Sequence, residues 1–267
     1  MKVGFLQFAP VFGKKEDNLR TVRDLLEHIQ ADVIVLPELF STGYAFLDKD
    51  ELAGLAEPVQ GETAEFMHGL AQATGCAFAF GFAERAGDRF YNSMAFVTPE
   101  GMVTAYRKSH LFFEEKFLFA PGDTGFNTFE YKGVKIGLLI CWDWIYPEAM
   151  RTLVLQGSQV ILHAANLVTP YCPDAMVTRA IENRVFVITA DRCGDEIRGS
   201  KNFHFIGKSQ AVAPNGDLLV RVAEETCVRV IEIDPALALD KKITEHNDLL
   251  AERRPDLYFK TQQNQPG

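Results

Sequence analysis

Residues 134–148 read VKIGLLICWDWIYPE. An apolar, partly β-branched run that stops abruptly reads as a buried strand, and Pro147 at the head of the next periodic stretch suits the first turn of a helix. Cys141 therefore falls on a sharp strand-to-helix turn, where a fold can present a nucleophile on rigid flanks. Free cysteine is also among the residues most often buried as a small hydrophobe, so Cys141 by itself is only a candidate.

Two further runs end in the same way. Val33, Ile34, Val35 and Leu36 lead into Pro37-Glu38-Leu39-Phe40. A carboxylate at the end of a buried strand is poorly solvated, which raises its pKa and fits it to exchange a proton near neutrality. Met102 to Ala105 run strand-like into YRKSHLF at 106–112, which carries Lys108. Taken singly, Glu38 reads equally well as a helix cap and Lys108 as a solvated cation.

In order and spacing, Glu38 in LPELF, Lys108 in YRKSHLF and Cys141 in LLICWDW resemble the Glu-Lys-Cys triad of the nitrilase (carbon-nitrogen hydrolase) superfamily. The resemblance runs from KVGFLQFAP at 2–10 through PGD at 121–123, HAANLV at 163–168 and ENRVFVITADRCG at 182–194 to RRPDLY at 253–258. It implies a four-layer α-β-β-α sandwich. It also implies a second glutamate shortly after the lysine that orients lysine and substrate, for which Glu115 is the candidate and Glu114 the alternative.

Composition sets outer limits. A chain of 267 residues, 47% of them apolar, suffices for one well-buried core, so a single domain over 1–267 is expected. The net charge of −9 argues against nucleic-acid or anionic-membrane partners. Apolar segments fall short of the roughly 20 residues of a membrane span, and the first residues lead straight into a strand, so a cytoplasmic location is expected. Five scattered cysteines form no disulfide framework, and six histidines show no ligand spacing, so neither metal nor cofactor is expected. A cysteine-histidine protease using His163 is conceivable, but it leaves Glu38 and Lys108 without roles.

Periodicity predicts strands at 2–9, 76–84, 89–98, 102–108, 160–163, 185–189, 208–213, 217–222 and 227–233, with antiparallel pairing among the three between 76 and 108. Helical spacing marks 15–30, 63–74 with Gly75 as its stop, 147–156 and 175–183. Pro214-Asn215-Gly216 signals a hairpin.

The chemistry follows from the charges that must change. A thiol is a weak nucleophile until a base takes its proton, for which Glu38 is the choice. Attack on an amide makes an oxyanion, which Lys108 and the Trp142 backbone N–H would stabilise; donors of this kind contribute about 2.7–4 kcal/mol each. Tyr44, Phe112, Phe113 and Trp142 are candidates for the wall of a small pocket, or for core packing. Asn166 is a candidate to approach substrate, or a turn residue. Asp143 reads as a helix cap or loop holder, His110 as structural, and Arg192 and Cys193 carry no evident chemistry.

CWDW departs from the CWE pattern usual in dedicated nitrilases and looks more like the amide and N-carbamoyl branches. The reading is therefore an amidase-type hydrolase of a small non-peptide substrate, with an aliphatic nitrile or an N-carbamoyl amine as alternatives and water as the second reactant. From other classes, an acyltransferase and a catalytically silent interaction protein are carried. The resemblance also implies a homodimer or a multiple of it, paired through 147–156 and the tail around 253–258.

Overall fold

The computed structural model describes residues 1–258. Strand β1 (Lys2–Gln7) leads to helix α1 (Lys15–Leu26), β2 (Val33–Val35), α2 (Lys49–Leu55), α3 (Glu62–Thr74), β3 (Ala77–Ala86), β4 (Arg89–Thr98), β5 (Gly101–Arg107) and the short α4 (Glu115–Leu118). β1, β2 and β3 pair in parallel, and β3, β4 and β5 pair antiparallel, as turn chemistry at 98–101 predicts. Burial alternates with period two. Val33 and Val35 face inward while Ile34 faces out, and Ala77 and Ala79 alternate with Phe78 and Phe80. The outward set packs under Leu19, Val22 and Leu26 of α1 and Met67, Leu70 and Ala71 of α3. Each large apolar side chain so buried stabilises the fold by roughly 1.5–3 kcal/mol.

The second half repeats the scheme. β6 (Thr128–Tyr131) and β7 (Val134–Ile140) run into a 3₁₀ turn (Cys141–Ile145) and α5 (Pro147–Leu155). Then come β8 (Val160–Ala165), α6 (Cys172–Asn183), β9 (Phe186–Asp191), β10 (Cys193–Arg198), β11 (Lys201–Ile206), β12 (Gln210–Val212), β13 (Leu218–Arg221) and β14 (Cys227–Glu232). The second sheet has the order β13-β12-β9-β8-β7-β6, and Met150, Leu153 and Val154 of α5 with Met176 and Ala180 of α6 cover it. Inner faces meet directly. Phe96 of β4 lies 4.6 Å from Phe129 and 5.3 Å from Tyr131 between ring centroids. The layers are thus α-β-β-α.

Several details differ from the pattern reading. α1 ends at Leu26 rather than 30, because the chain turns and Ile29 reaches the core from that turn. α2, capped by Asp48 through the Glu51 N–H at 2.9 Å, is too short to show periodicity. β6 is a four-residue edge, and β10 and β11 form a separate two-stranded ribbon. β14 joins the first sheet by pairing antiparallel with β1, so its residues cross back from the second half. Among the described residues no helix is long and apolar enough to cross a membrane.

Candidate active site

Glu38 follows β2 on a loop laid across β3. A Cβ at Gly81 would stand 2.6 Å from Glu38 Cα and 2.8 Å from Leu39 N, so only glycine permits this approach. The Gly81 N–H donates to Pro37 O at 3.3 Å, and the Phe40 N–H donates to Gly81 O at 3.2 Å. The Glu38 carboxylate is fully buried, and its Oε1 accepts from Asn92 Nδ2 and from Lys108 Nζ, both at 2.6 Å. Oε2 is buried and has no hydrogen-bond partner among the described residues.

Lys108 leaves the end of β5. Its N–H donates to Asn92 O and its carbonyl accepts from the Gly122 N–H, each at 2.8 Å. Gly122 is the glycine of the PGD segment, and a Cβ there would lie 2.0 Å from Arg107 O. The ammonium sits between Glu38 and Glu115, 2.9 Å from the second carboxylate. Glu115 in turn accepts from Tyr44 Oη at 2.7 Å and from the Phe112 N–H at 3.1 Å. Burial works against the Lys108 charge, but the attraction of Glu115 and Glu38 outweighs it and holds Lys108 well above its ordinary value. For Glu38 the balance goes the other way. Burial dominates the pull of Lys108, Glu115 adds repulsion, and the carboxyl is pushed up to about 7.

Cys141 follows β7 and opens the 3₁₀ turn with φ +40°, a left-handed conformation uncommon for a non-glycine residue. The thiol is buried, with Sγ 3.8 Å from Asn166 O. Burial and the Glu38 charge push the thiol up, against the opposing effect of Lys108. Asn166 also spans the sheets, its Nδ2 donating to Glu38 O at 2.9 Å. As second residue of the turn, Trp142 has no earlier carbonyl of that turn for its N–H. Its ring lies 4.9 Å from Phe112, while Tyr44 packs edge-on to Phe203 and Phe205 of β11.

Other candidates are placed elsewhere. Glu114 turns away and pairs with Lys201 at 2.7 Å, and Phe113 is exposed. Asp143 does not cap α5; it is fully buried and accepts from Ile140, Tyr106 and His110. His163 has one ring nitrogen 3.2 Å from Thr189 Oγ1 and the other 3.1 Å from Cys141 O, so neither faces Sγ. Burial pushes it down to about 4, which keeps it neutral. Buried Arg192 stacks 4.0 Å over Phe205 and pairs with Glu196, which accepts the Tyr44 and Ala45 N–H groups. Cys193 begins β10 with its N–H on Phe8 O.

Asn92 escapes a reading by strand ends because it lies inside β4. Its signal is an amide side chain inside a strand, where asparagine is depleted. Tyr106 and Asp143 give no such signal, since their link joins residues 37 apart. Among the described residues no group of three or more His, Cys, Asp or Glu could hold a metal ion.

Residues 2–241 match the family described as carbon-nitrogen hydrolase. A "Nitrilase" of Pyrococcus abyssi is 43% identical over 265 residues, covering 97% of this chain and 100% of the relative. An "(R)-stereoselective amidase" of a Pseudomonas species is 36% identical over 239 residues, covering 88% and 85%. The crystal structure of a carbon-nitrogen hydrolase from Helicobacter pylori G27 superposes with a TM-score of 0.88 at 25% identity, covering 97% of each chain.

Proposed function

The chain belongs to the carbon-nitrogen hydrolase family, and on that footing we propose that it hydrolyses the C–N bond of a small non-peptide amide through a thioester on Cys141. The observation that carries this reading is the buried Glu38–Lys108–Glu115 cluster, in which a charged ammonium is fixed beside a carboxyl poised near neutrality. Glu38 takes the thiol proton as sulfur attacks the carbonyl carbon. The new S–C bond leaves an oxyanion, which Lys108 Nζ and the Trp142 N–H receive. Collapse breaks the C–N bond, and Glu38 returns its proton to the departing nitrogen. Water then gives a proton to Glu38 and adds to the thioester, and breaking the S–C bond restores the thiol and releases the acid. Glu115, held by Tyr44, keeps Lys108 charged throughout.

A second reading, a small aliphatic nitrile, is favoured by the name of the relative at 43% identity. It uses the same sulfur, with the nitrogen retained until the carbon is hydrated. We also place the protein as a homodimer or a multiple of it through α5 and residues 253–258; Leu155 and Tyr258 are exposed there, and Phe259 lies outside the described residues. Equilibrium sedimentation showing only monomer at micromolar concentration would count against that assembly.

Ammonia release from short aliphatic amides, dicarboxylic acid monoamides, N-carbamoyl amines and aliphatic nitriles, run beside Cys141→Ala, tests the reading. Release from amides that vanishes in the variant supports it, and release from nitriles alone selects the second reading. Release that survives Cys141→Ala overturns both.

A further inference from the structure

We propose that Asp143 is a positioning residue that sets the Cys141 turn against Lys108, an assignment that rests on the hydrolase reading above. The two groups come from different sheets, Lys108 from the end of β5 and Cys141 from the end of β7. The Glu38 and Glu115 carboxylates fix the lysine tip, yet neither touches the cysteine turn directly. Asp143 does what they do not. Its Oδ2 accepts from the Ile140 N–H at 3.1 Å and from Tyr106 Oη at 2.7 Å, and its Oδ1 accepts from the His110 N–H at 3.2 Å. His110 Nδ1 lies 2.8 Å from the same Oδ1, a donor in the tautomer that carries its proton there.

Tyr106 and His110 flank Lys108 by two residues on each side, and Ile140 directly precedes Cys141. One buried carboxylate therefore grips both shoulders of the lysine and the backbone behind the nucleophile. The grip is closed from outside by His110, whose ring stacks on Tyr146 at 3.7 Å. Because Trp142 lies between Cys141 and Asp143, the same anchor also aims the Trp142 N–H. All four partners act as donors, so an amide at this position offers one oxygen where two are used and turns its NH₂ toward other N–H and O–H groups. The lysine and the turn would then drift apart, and a misplaced oxyanion site lowers turnover by about 100-fold.

The test compares wild type with Asp143→Asn by two readouts. The first is ammonia release on the substrate panel, where kcat is expected to fall about 100-fold with KM within about threefold. The second needs no substrate: the pH dependence of Cys141 alkylation by iodoacetamide, followed on the Cys141 peptide by mass spectrometry. The thiol feels Glu38 and Glu115, which oppose the thiolate, and Lys108, which favours it, so a turn moved relative to that cluster displaces the profile. A folded Asp143→Asn whose alkylation profile coincides with wild type overturns the proposal, whatever its kcat. If that variant does not fold, Tyr106→Phe, which removes one donor and keeps the ring, decides by a displaced alkylation profile or by coincidence with wild type. A wild type silent on the whole panel sinks the hydrolase reading, while the alkylation comparison still decides the role of Asp143.

Discussion

The two sheets bring opposite kinds of chemistry to their shared edge. On the first, Glu38 and Lys108 are fully buried, and Lys108 keeps its charge because two carboxylates lie within hydrogen-bond distance. On the second, Cys141, His163 and Asp191 are buried just as deeply, and burial drives each toward its neutral form: thiol and aspartic acid up, imidazole down to about 4. Burial penalises charge on both sides; among these groups it is at Lys108 that the attraction of opposite charges outweighs the penalty, while Glu38 is left poised between its two forms. Those three groups of the second sheet therefore rest uncharged, and the first sheet supplies the base.

Removing the base breaks this contrast most severely. Glu38→Gln is expected to lower kcat by roughly 10³-fold, within the usual range for a general base, while Lys108 keeps Glu115 as its partner. The wild-type rate should rise with pH through about 7, because below that value Glu38 holds its proton and cannot accept another. Steady-state pH profiles check this; an acid limb near 4.5 would show that burial does not control Glu38. Moving the base is the next largest effect. Gly81→Ala puts a methyl against Glu38 Cα, and we expect kcat about 10–100-fold lower with a stability loss of roughly 1–3 kcal/mol in thermal melts.

The smallest effect probes the neutral side. Because the folded His163 value lies below its ordinary 6.5, the unfolded chain binds more protons in between. The contribution is complete above about 6.5 and is lost as pH falls toward about 4. In His163→Gln, urea midpoints measured across that window should flatten. A wild-type slope retained in the variant would assign the acid sensitivity to another group.

Much of the site was legible because its groups stand where apolar runs stop. Glu38, Lys108 and Cys141 each end or follow a strand, and such ends are visible as breaks in a pattern. The choice between Glu114 and Glu115 was not visible. Adjacent acids look alike in a string, and only the start of α4 turns one toward Lys108 and the other toward Lys201. Asn92 and the Tyr106–Asp143 link stayed hidden for a related reason: each is a contact across distant positions, set by register and by the packing of sheet on sheet.

Alternation of strand and helix, the stop at Gly75, the hairpin at 214–216 and the cysteine turn were thus determined by the sequence itself, since each depends on residues within a few positions. The tertiary structure alone decided that β14 returns to β1, that Glu38 is desolvated to about 7, and that Lys108 stays charged at zero exposure. Solvation and pairing depend on what the rest of the chain places within a few ångströms, and no local pattern encodes that.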